Sequence, residues 1–479
     1  MARKPKNILI YSDGTGQRGG VAFDERRSNI YKLYRATRCG PDSTIDPSEQ
    51  VAFYDPGIGT RPPGAGFFAA VWQKIYNMIS QALGLGLTGN IIDCYAALVR
   101  LWQPGDRIYL IGFSRGAYTA RCLGGVLAQC GLPTMDGGAG LKRDIASSKR
   151  IAKEAVKKVY QHTHSWKKDG RTQRQQDLLD QRQQLAERFR QKYGSGDAGG
   201  PNVAPYFIGV FDTVASLANP AFLAALFVAG LAVSAGLSGL VLWWRPFDFT
   251  LFDSTLFESP WGFWLGWLFI AALIVGGGAA WNLKTRFRGE WGLKNASWRG
   301  FHFNEPRMKF YDTGLNPKVL FARHAISIDE ARKSFPRVPW GTKGVAKPPE
   351  AGKPEWFQQL WFAGCHSDIG GSYPEDESRL SDIALRWLLD AAVSTGLKVD
   401  ASVLKPYPDA SGMQHDEMRS LAFRYAGRTP RVIPGNAPLH SSVLERFRCE
   451  AVQQYDLSAS YRPENLRGHD QLKEFYPGA

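Results

Sequence analysis

Cysteine is scarce and scattered in this chain, and its pattern excludes two common ways of stabilising a small domain. The six cysteines among 479 residues form no Cys-x-x-Cys pair and lie beside no cluster of histidines. A structural zinc site needs closely spaced ligands, and a disulfide framework needs a dense, regular pattern. We therefore expect no metal, no cofactor and a main body that folds in the cytoplasm.

We expect neither a signal peptide nor a phosphate-binding loop in this chain. The N-terminus leads into an apolar run of only Ile8 to Tyr11, too short for a secretory core and typical of a first β-strand. No Gly-x-x-x-x-Gly-Lys motif occurs. A phosphatase motif would place an aspartate two positions before Asp13, where Tyr11 stands, so this chemistry is excluded.

Charge of one sign dominates, since the formal net charge is +15. Such an excess favours an anionic partner, and most of the Lys and Arg side chains in any soluble domain simply solvate its surface. The basic stretch at residues 141–200 has no interleaved aromatics and no known motif, so we expect no nucleic-acid partner. We predict that this stretch is a solvated helical insertion that ends in a linker at Gly194-Ser195-Gly196.

The strongest motif present is Gly112-Phe113-Ser114-Arg115-Gly116, which lies between an apolar strand and a helical pattern. A Gly-x-Ser-x-Gly at a strand-to-helix junction is typical of the nucleophile elbow of α/β-hydrolases. The serine lies on a tight turn there, so its neighbours must have almost no side chain. The motif predicts that Ser114 is a nucleophile.

Two long runs carry no charge, at residues 220–244 and 260–281. At about 1.5 Å per residue each is long enough to cross a bilayer core of about 30 Å. Tryptophans mark the run ends, and basic residues follow the second run. These features predict a membrane-embedded helical hairpin with both ends, and hence the rest of the protein, in the cytoplasm. The alternatives are a buried helical hairpin or an apolar lid.

Alternating strands and helices predict the α/β class, with a doubly wound, mostly parallel sheet. We predict strands at six places and helices between them; the strands are Asn7–Ser12, Gln50–Tyr54, Arg107–Gly112, Tyr206–Phe211, Met308–Tyr311 and Gln358–Ala363. The prediction divides the chain into five segments. They are a first core part (residues 1–140), the basic insertion (141–200), a core strand with the acid (201–217), the hairpin (218–283) and a second core part (284–479).

A nucleophilic serine needs a base and a group that orients the base, and in α/β-hydrolases these follow in the order acid, then histidine. Asp212 ends an apolar strand, although an aspartate there is also a common helix cap. His366 follows the next suitable strand in a glycine-rich loop, with His324 and His440 as reserves. For the oxyanion hole we predict the backbone N–H of Arg115 and a second donor from Gly14 or Thr15.

Several of these motifs together resemble one family. They are Asp13-Gly14-Thr15, Gly112–Arg121, Gly209–Ala215, His324–Arg332 and Trp361–Gly371. In this order they are similar to the uncharacterised α/β-hydrolase domain family that includes phospholipase effectors of bacterial type VI secretion. The resemblance covers most of residues 7–395 outside the basic insertion and the hairpin. It implies phospholipid ester hydrolysis by Ser114, Asp212 and His366.

The sequence thus predicts a membrane-anchored serine phospholipase or lipase, acting as a toxin, a defence effector or in lipid turnover. Its partners would be membrane phospholipids, and an unidentified protein partner is left open. The resemblance implies that the membrane is a bacterial inner membrane. The alternative is a catalytically silent scaffold that is tethered to the membrane and keeps a hydrolase-like fold.

Overall fold

The computed structural model describes most of the chain outside the long apolar runs. The described residues are 3–14, 26–57, 85–163, 170–197, 199–214, 313–342, 354–419 and 427–476, with isolated positions 268, 287–288, 293, 302–303, 344–345 and 347–348. Contacts within the chain divide it into two units, residues 1–217 with 309–479, and residues 218–308.

The first unit is built on a six-stranded sheet in which all neighbouring strands are parallel. Its strands are β1 (Asn7–Ser12), β2 (Gln50–Asp55), β3 (Arg107–Phe113), β4 (Phe207–Phe211), β5 (Phe321–Ser327) and β6 (Phe357–Phe362), in the spatial order β6-β5-β4-β3-β1-β2. All residues of β1 and β4 are buried, because a parallel sheet is covered on both faces and its strands are continuous apolar runs.

Helices connect and cover the strands. They are α1 (Asn29–Thr37), α2 (Leu85–Leu101), α3 (Arg115–Cys130), α4 (Ile145–Lys153), α5 (Gln173–Tyr193), α6 (His366–Gly370), α7 (Arg379–Ser394) and α8 (Ser441–Arg448). A π-helical turn and short 3₁₀ turns add to them, at Glu154–Val159, Tyr160–His162, Glu375–Glu377, Glu417–Arg419, Glu464–Leu466 and Lys473–Phe475.

Short antiparallel strand pairs complete the described secondary structure. They are Met135–Asp136 with Ala139–Gly140, Gly196–Asp197 with Gly200–Pro201, and Val452–Gln454 with Leu457–Ala459 in the first unit, and Phe287–Arg288 with His302–Phe303 in the second.

The register of the sheet brings the functional strand ends level. Ser12 lies opposite both Asp55 and Gly112, and Phe113 lies opposite Phe211. The chain runs from β1 outward to β2 and then returns to β3 on the other side of β1. Ligands of open α/β sheets bind at such a switch point, beyond the carboxyl ends of the strands. The sheet therefore places its binding edge where β1 and β3 end.

The C-terminal segment packs against one end of the sheet. A cluster centred on Val443, Phe447 and Tyr461 buries these side chains against Ile326 and Trp361 of β5 and β6. The backbone N–H of Trp361 donates to Pro438 O, 3.0 Å away. This packing carries residues 427–476 to the same edge as the predicted catalytic residues.

Most predicted elements are present, and the α/β class is confirmed. Five of the predicted strands match within about one residue, and the sixth, Met308–Tyr311, lies outside the described residues. Strand β5 is not among the predicted strands, because it contains Arg323 and His324. Both side chains are buried, and both find hydrogen-bond acceptors or donors on neighbouring strands and loops.

The basic insertion is helical, as predicted, but it is less solvated than expected. One face of α5 buries Leu185, Phe189 and Tyr193. The predicted glycine linker is also anchored, since Ser195 is fully buried and its hydroxyl donates to Cys130 O, 2.5 Å away. The apolar face of the insertion, rather than its many charges, decides where it packs.

The two apolar runs predicted to embed in a membrane, residues 220–244 and 260–281, lie outside the described residues except for Leu268. Among the residues that are described, no helix combines the length and the apolar character needed to span a bilayer.

Candidate active site

Ser114 lies on the sharp turn that the motif predicts, between β3 and α3. Its backbone has φ 58° and ψ −119°, a conformation that a residue with a side chain rarely adopts. Its N–H donates to Phe211 O, 3.1 Å away, at the end of the neighbouring strand β4. The turn therefore fixes the serine at the carboxyl edge of the sheet, next to Asp212.

The two glycines of the motif are required by close backbone contacts. A Cβ atom on Gly112 would lie 2.3 Å from Gly116 O, and one on Gly116 would lie 1.9 Å from Ser12 O. Both distances are far below van der Waals contact, and both involve backbone atoms that cannot move aside easily. The Gly-x-Ser-x-Gly spacing thus follows from how tightly α3 begins against β1 and β3.

Substitution of Gly116 by alanine is expected to destabilise the first unit. The new methyl group must displace the backbone of β1, and overpacking of this kind costs about 1–3 kcal/mol. Gly89→Ala is the matched control, because a Cβ atom on Gly89 of α2 would meet no atom within 4 Å, and helix propensity there favours alanine. Thermal melting should show a lower midpoint for Gly116→Ala and no decrease for Gly89→Ala; equal midpoints would contradict the packing argument.

Asp212 and His366 form a buried pair at the same edge. His366 Nδ1 lies 2.5 Å from Asp212 Oδ2, and both side chains are almost completely inaccessible to solvent. Asp212 has a positive φ of 36°, which turns it out of β4. His366 is the first residue of α6, and its ring stacks on Phe113, the residue before Ser114, with 4.7 Å between ring centroids.

The Asp212 carboxylate is held in its ionised form. Burial by itself raises the pKa of Asp212, but the Arg431 guanidinium and the hydrogen bond with His366 outweigh it and lower that pKa well below its usual range. An ionised carboxylate only accepts hydrogen bonds, so the proton of the pair is on His366 Nδ1. The other ring nitrogen, Nε2, is then free to accept a proton.

The structure brings Ser114 and His366 to one edge without a hydrogen bond between them. Within the described part of the chain, His366 Nε2 is buried and has no hydrogen-bond partner. Catalytic hydrogen bonds are often long in the absence of substrate.

The predicted oxyanion loop starts beside Ser114. A Cβ atom on Gly14 would lie 3.4 Å from Ser114 Cβ. The N–H of Gly14 donates to its neighbour Asp13 Oδ1, 2.7 Å away, so it is engaged in this structure. Thr15 lies outside the described residues. The N–H of Arg115 is in the first turn of α3, which has no side-chain cap, and the roles of all three donors stay predictions.

Comparison with protein families decides which family these features represent. Residues 6–238 and 288–391 match the family described as the catalytic domain of Tle1-like phospholipase effectors of the type VI secretion system. The match covers more than half of the chain. The chain belongs to this family.

Two individual proteins are similar to this Tle1-like chain over part of their length. The uncharacterised protein YEL023C of Saccharomyces cerevisiae is 33% identical over 219 residues, which are 44% of this chain and 27% of that protein. A crystal structure of an uncharacterised protein from Pseudomonas aeruginosa has 17% identity and a TM-score of 0.35, covering 85% of this chain and 49% of that chain. The chain thus spans only part of both proteins.

A second similar solved structure contains a Tle1 effector. The Tle1 effector bound to the VgrG spike of the type 6 secretion system aligns with 14% identity and a TM-score of 0.32. The alignment covers 91% of this chain and 82% of that chain.

Two residues at the site of this Tle1-like chain were not found by sequence analysis. Arg431 donates to both oxygens of Asp212 from a loop 219 positions away. Glu330 Oε2 accepts from the backbone N–H of His366, 3.3 Å away, and is itself paired with Arg332 at 2.7 Å. Glu330 and Arg332 lie in the family motif His324–Arg332, but the motif by itself assigns them no function. Arg431 follows Pro430 in a loop whose sequence has no pattern that indicates a catalytic role.

The two reserve histidines have other environments. His324 is fully buried in β5, where Gln359 lies 3.0 Å from its Nδ1, and burial lowers its pKa to about 3. His440 caps α8 and stacks on Phe362 with 4.6 Å between ring centroids. Neither contacts Asp212 through a hydrogen bond, so His366 is the histidine that the fold pairs with the acid.

Metal ligands are not grouped in the part of the Tle1-like chain that the structure describes. No cluster of three or more His, Cys, Asp or Glu residues there has the arrangement of a metal site.

Proposed function

We propose that this chain is a serine hydrolase that cleaves acyl esters of phospholipids. In this proposal Ser114 is the nucleophile, His366 the general base and Asp212 the residue that orients the imidazole. The supporting observation is the buried Asp212–His366 pair, with a distance of 2.5 Å, beside a serine on a strained turn. Membership of a phospholipase effector family supports the choice of substrate.

The residues would act in the order that the geometry allows. Ser114 Oγ attacks the ester carbonyl carbon as His366 Nε2 takes the hydroxyl proton, and the resulting imidazolium is stabilised by Asp212 through Nδ1. The oxyanion forms at the first turn of α3, where backbone N–H groups and the helix dipole favour negative charge. His366 then gives its proton to the leaving lysophospholipid oxygen, and water cleaves the acyl-enzyme by the reverse proton path.

The test is to incubate the purified chain with phospholipid vesicles and to identify the products by mass spectrometry. We expect free fatty acid and lysophospholipid in equal amounts at first. Release of phosphocholine or of phosphatidic acid instead would mean that a phosphodiester bond is cleaved and would contradict the proposal.

Arg115 provides a reason to expect an anionic substrate. This residue directly follows Ser114 and is half-buried, and its side chain has no hydrogen bond, ion pair or ring contact with any of the residues that the structure describes. Burial lowers the pKa of Arg115 to about 10, and no charged group among the described residues offsets this effect. Other buried arginines, such as Arg190 and Arg446, donate to backbone carbonyls. A lipid phosphate would supply the missing partner.

For Arg115→Gln we therefore predict a change in substrate selectivity. A charge-assisted hydrogen bond contributes about 1.5–3 kcal/mol, so the ratio of kcat/KM for phosphatidylglycerol to that for diacylglycerol should fall about tenfold or more. Arg115→Lys keeps the charge and should retain most of the selectivity. An unchanged ratio in Arg115→Gln would mean that the side chain does not contact the phosphate.

Membrane anchoring through residues 220–244 and 260–281, with the catalytic part facing the cytoplasm of a bacterial inner membrane, is a further part of the proposal. It is supported by the absence of charge in both runs and by the basic residues that follow the second run. The full chain should stay in the membrane pellet after alkaline carbonate extraction, whereas a variant with residues 220–281 replaced by a Gly-Ser linker should be released. Release of both would contradict anchoring.

A further inference from the structure

Both oxygens of the Asp212 carboxylate are occupied by donors from three separate parts of the chain. Oδ1 accepts from Arg431 Nη1 at 2.5 Å and from Ser327 N at 3.1 Å. Oδ2 accepts from His366 Nδ1 at 2.5 Å and from Arg431 Nη2 at 2.9 Å. The guanidinium and the imidazole therefore share one carboxylate oxygen, and the guanidinium also binds the other.

Burial and additional hydrogen bonds hold Arg431 in position for this contact. It is almost completely buried, and its ion pair with Asp212 is complemented by a hydrogen bond from Nη1 to Ser327 O at 3.0 Å. Asn465 Nδ2 donates to its backbone carbonyl, 3.3 Å away, and so fixes the loop that carries it. The planar fork of an arginine matches both oxygens of a carboxylate, which a single ammonium cannot do.

A cation at this place has two opposite effects on a serine hydrolase. It holds the orienting carboxylate in one plane and keeps it ionised without water. It also places a positive charge beside the imidazole that must become positive during the reaction, which opposes protonation of His366. The carboxylate is thus rigid, and part of its charge is already compensated.

We propose that Arg431 is a positioning residue that fixes Asp212 for His366 and sets the acidic limit of the reaction. This inference rests on the proposed function, because it assumes that His366 acts as the base. Nothing in the family motifs points to it, since Arg431 lies beyond all five of them.

Other charged groups near the Asp212–His366 pair also affect how its protonation depends on pH. Glu330 contacts the His366 backbone and is paired with Arg332, while Arg337 and the buried His324 lie near enough to interact electrostatically with Asp212. None of these four side chains forms a hydrogen bond or ion pair with the Asp212 carboxylate within the described residues, whereas the Arg431 side chain binds it directly. Its removal should therefore change the charge at the pair most.

The test compares Arg431→Gln and Arg431→Lys with the wild type. Without the cation, the protonated imidazole is favoured, so the acidic limb of the kcat/KM profile of Arg431→Gln should move to higher pH by about one unit or more. Arg431→Lys keeps the charge and should keep the limb near its wild-type position. Because the fork is lost, its kcat should still fall about 10- to 100-fold.

Arg446→Gln is the matched control for a purely structural role. Arg446 is also fully buried, but it donates to the backbone carbonyls of Ala410 and Gly412, and it has no hydrogen bond or ion pair with Ser114, Asp212 or His366. Its loss should lower the melting temperature without moving the acidic limb. If Arg431→Gln behaves in the same way, the inference is overturned, and wild-type kcat in Arg431→Lys would overturn the role of the fork.

A readout without substrate separates this inference from the proposed function. The Nδ1–H proton of a histidine bonded to a carboxylate gives a far-downfield NMR signal, which His366→Asn would identify by its loss. The pH at which this signal titrates should rise in Arg431→Gln, and an unchanged titration would overturn the inference. Should the wild type release no fatty acid, the proposed function fails, yet this titration still shows whether Arg431 sets the charge of His366.

Discussion

Ser114→Ala is expected to abolish fatty-acid release from phospholipid vesicles. Removal of the nucleophile of a serine hydrolase costs about 10⁴-fold or more in rate, because attack on the ester has no other covalent route. The fold should remain, since the methyl group of alanine fits where Ser114 Cβ lies now. The measurement is product formation at matched protein concentration, with melting curves to verify folding.

Ser148→Ala is the matched control for this substitution. Ser148 is also buried, but it lies on α4, where its hydroxyl donates to Asp144 O, 2.7 Å away. It should retain wild-type turnover. Equal fatty-acid release by Ser114→Ala and the wild type would exclude Ser114 as the nucleophile, whereas no turnover by either, on any ester, would favour the silent scaffold.

Asp212→Asn is expected to have the second-largest effect, on both rate and stability. The amide has the shape of the carboxylate but not its charge, so the hydrogen-bonding pattern no longer selects the Nδ1–H tautomer of His366. A comparable change in a serine protease triad lowers kcat by about 10⁴-fold. Steady-state kinetics on a soluble short-chain ester should show the loss in kcat rather than in KM.

The stability effect of Asp212→Asn should depend on pH. The substitution leaves the buried Arg431 without its counter-charge, which costs about 3–5 kcal/mol for a buried pair. The folded pKa of Asp212 is depressed, so its contribution is present above the ordinary aspartate pKa of about 3.9 and is lost as pH falls further. Melting temperatures of the two proteins should differ most near neutral pH and converge in acid; a constant difference would contradict this expectation.

The predictable part of the site consists of residues at strand ends. Ser114, Asp212 and His366 each follow an apolar strand, and parallel strands end at one edge of a sheet, so their proximity follows from the pattern. The two glycines beside Ser114 indicate the turn, and the distances from Gly116 to Ser12 show why no other residue fits. Such a turn can be predicted because it depends only on residues that are adjacent in the sequence.

Strand β5 and the role of Arg431 could not be predicted, because both depend on contacts between segments that are distant in the sequence. β5 contains Arg323 and His324, which form hydrogen bonds with Glu355 O and Gln359 on the next segment. Without these partners, the sequence of the strand looks too polar for a buried strand. Arg431 reaches Asp212 only because the C-terminal segment packs on β5 and β6. Single-sequence patterns contain the local preference of each residue but not the partner that overrides it.

The proposed mechanism depends most on one bond, between Ser114 Oγ and the acyl or phosphonyl group of a substrate. The direct measurement is to treat the folded chain with a fluorophosphonate, digest it and locate the adduct by mass spectrometry. We expect one modified peptide, with the label on Ser114, whose labelling is lost in Ser114→Ala and slowed strongly in His366→Asn. A label on another residue, or labelling of Ser114 at the same rate without His366, would contradict the mechanism.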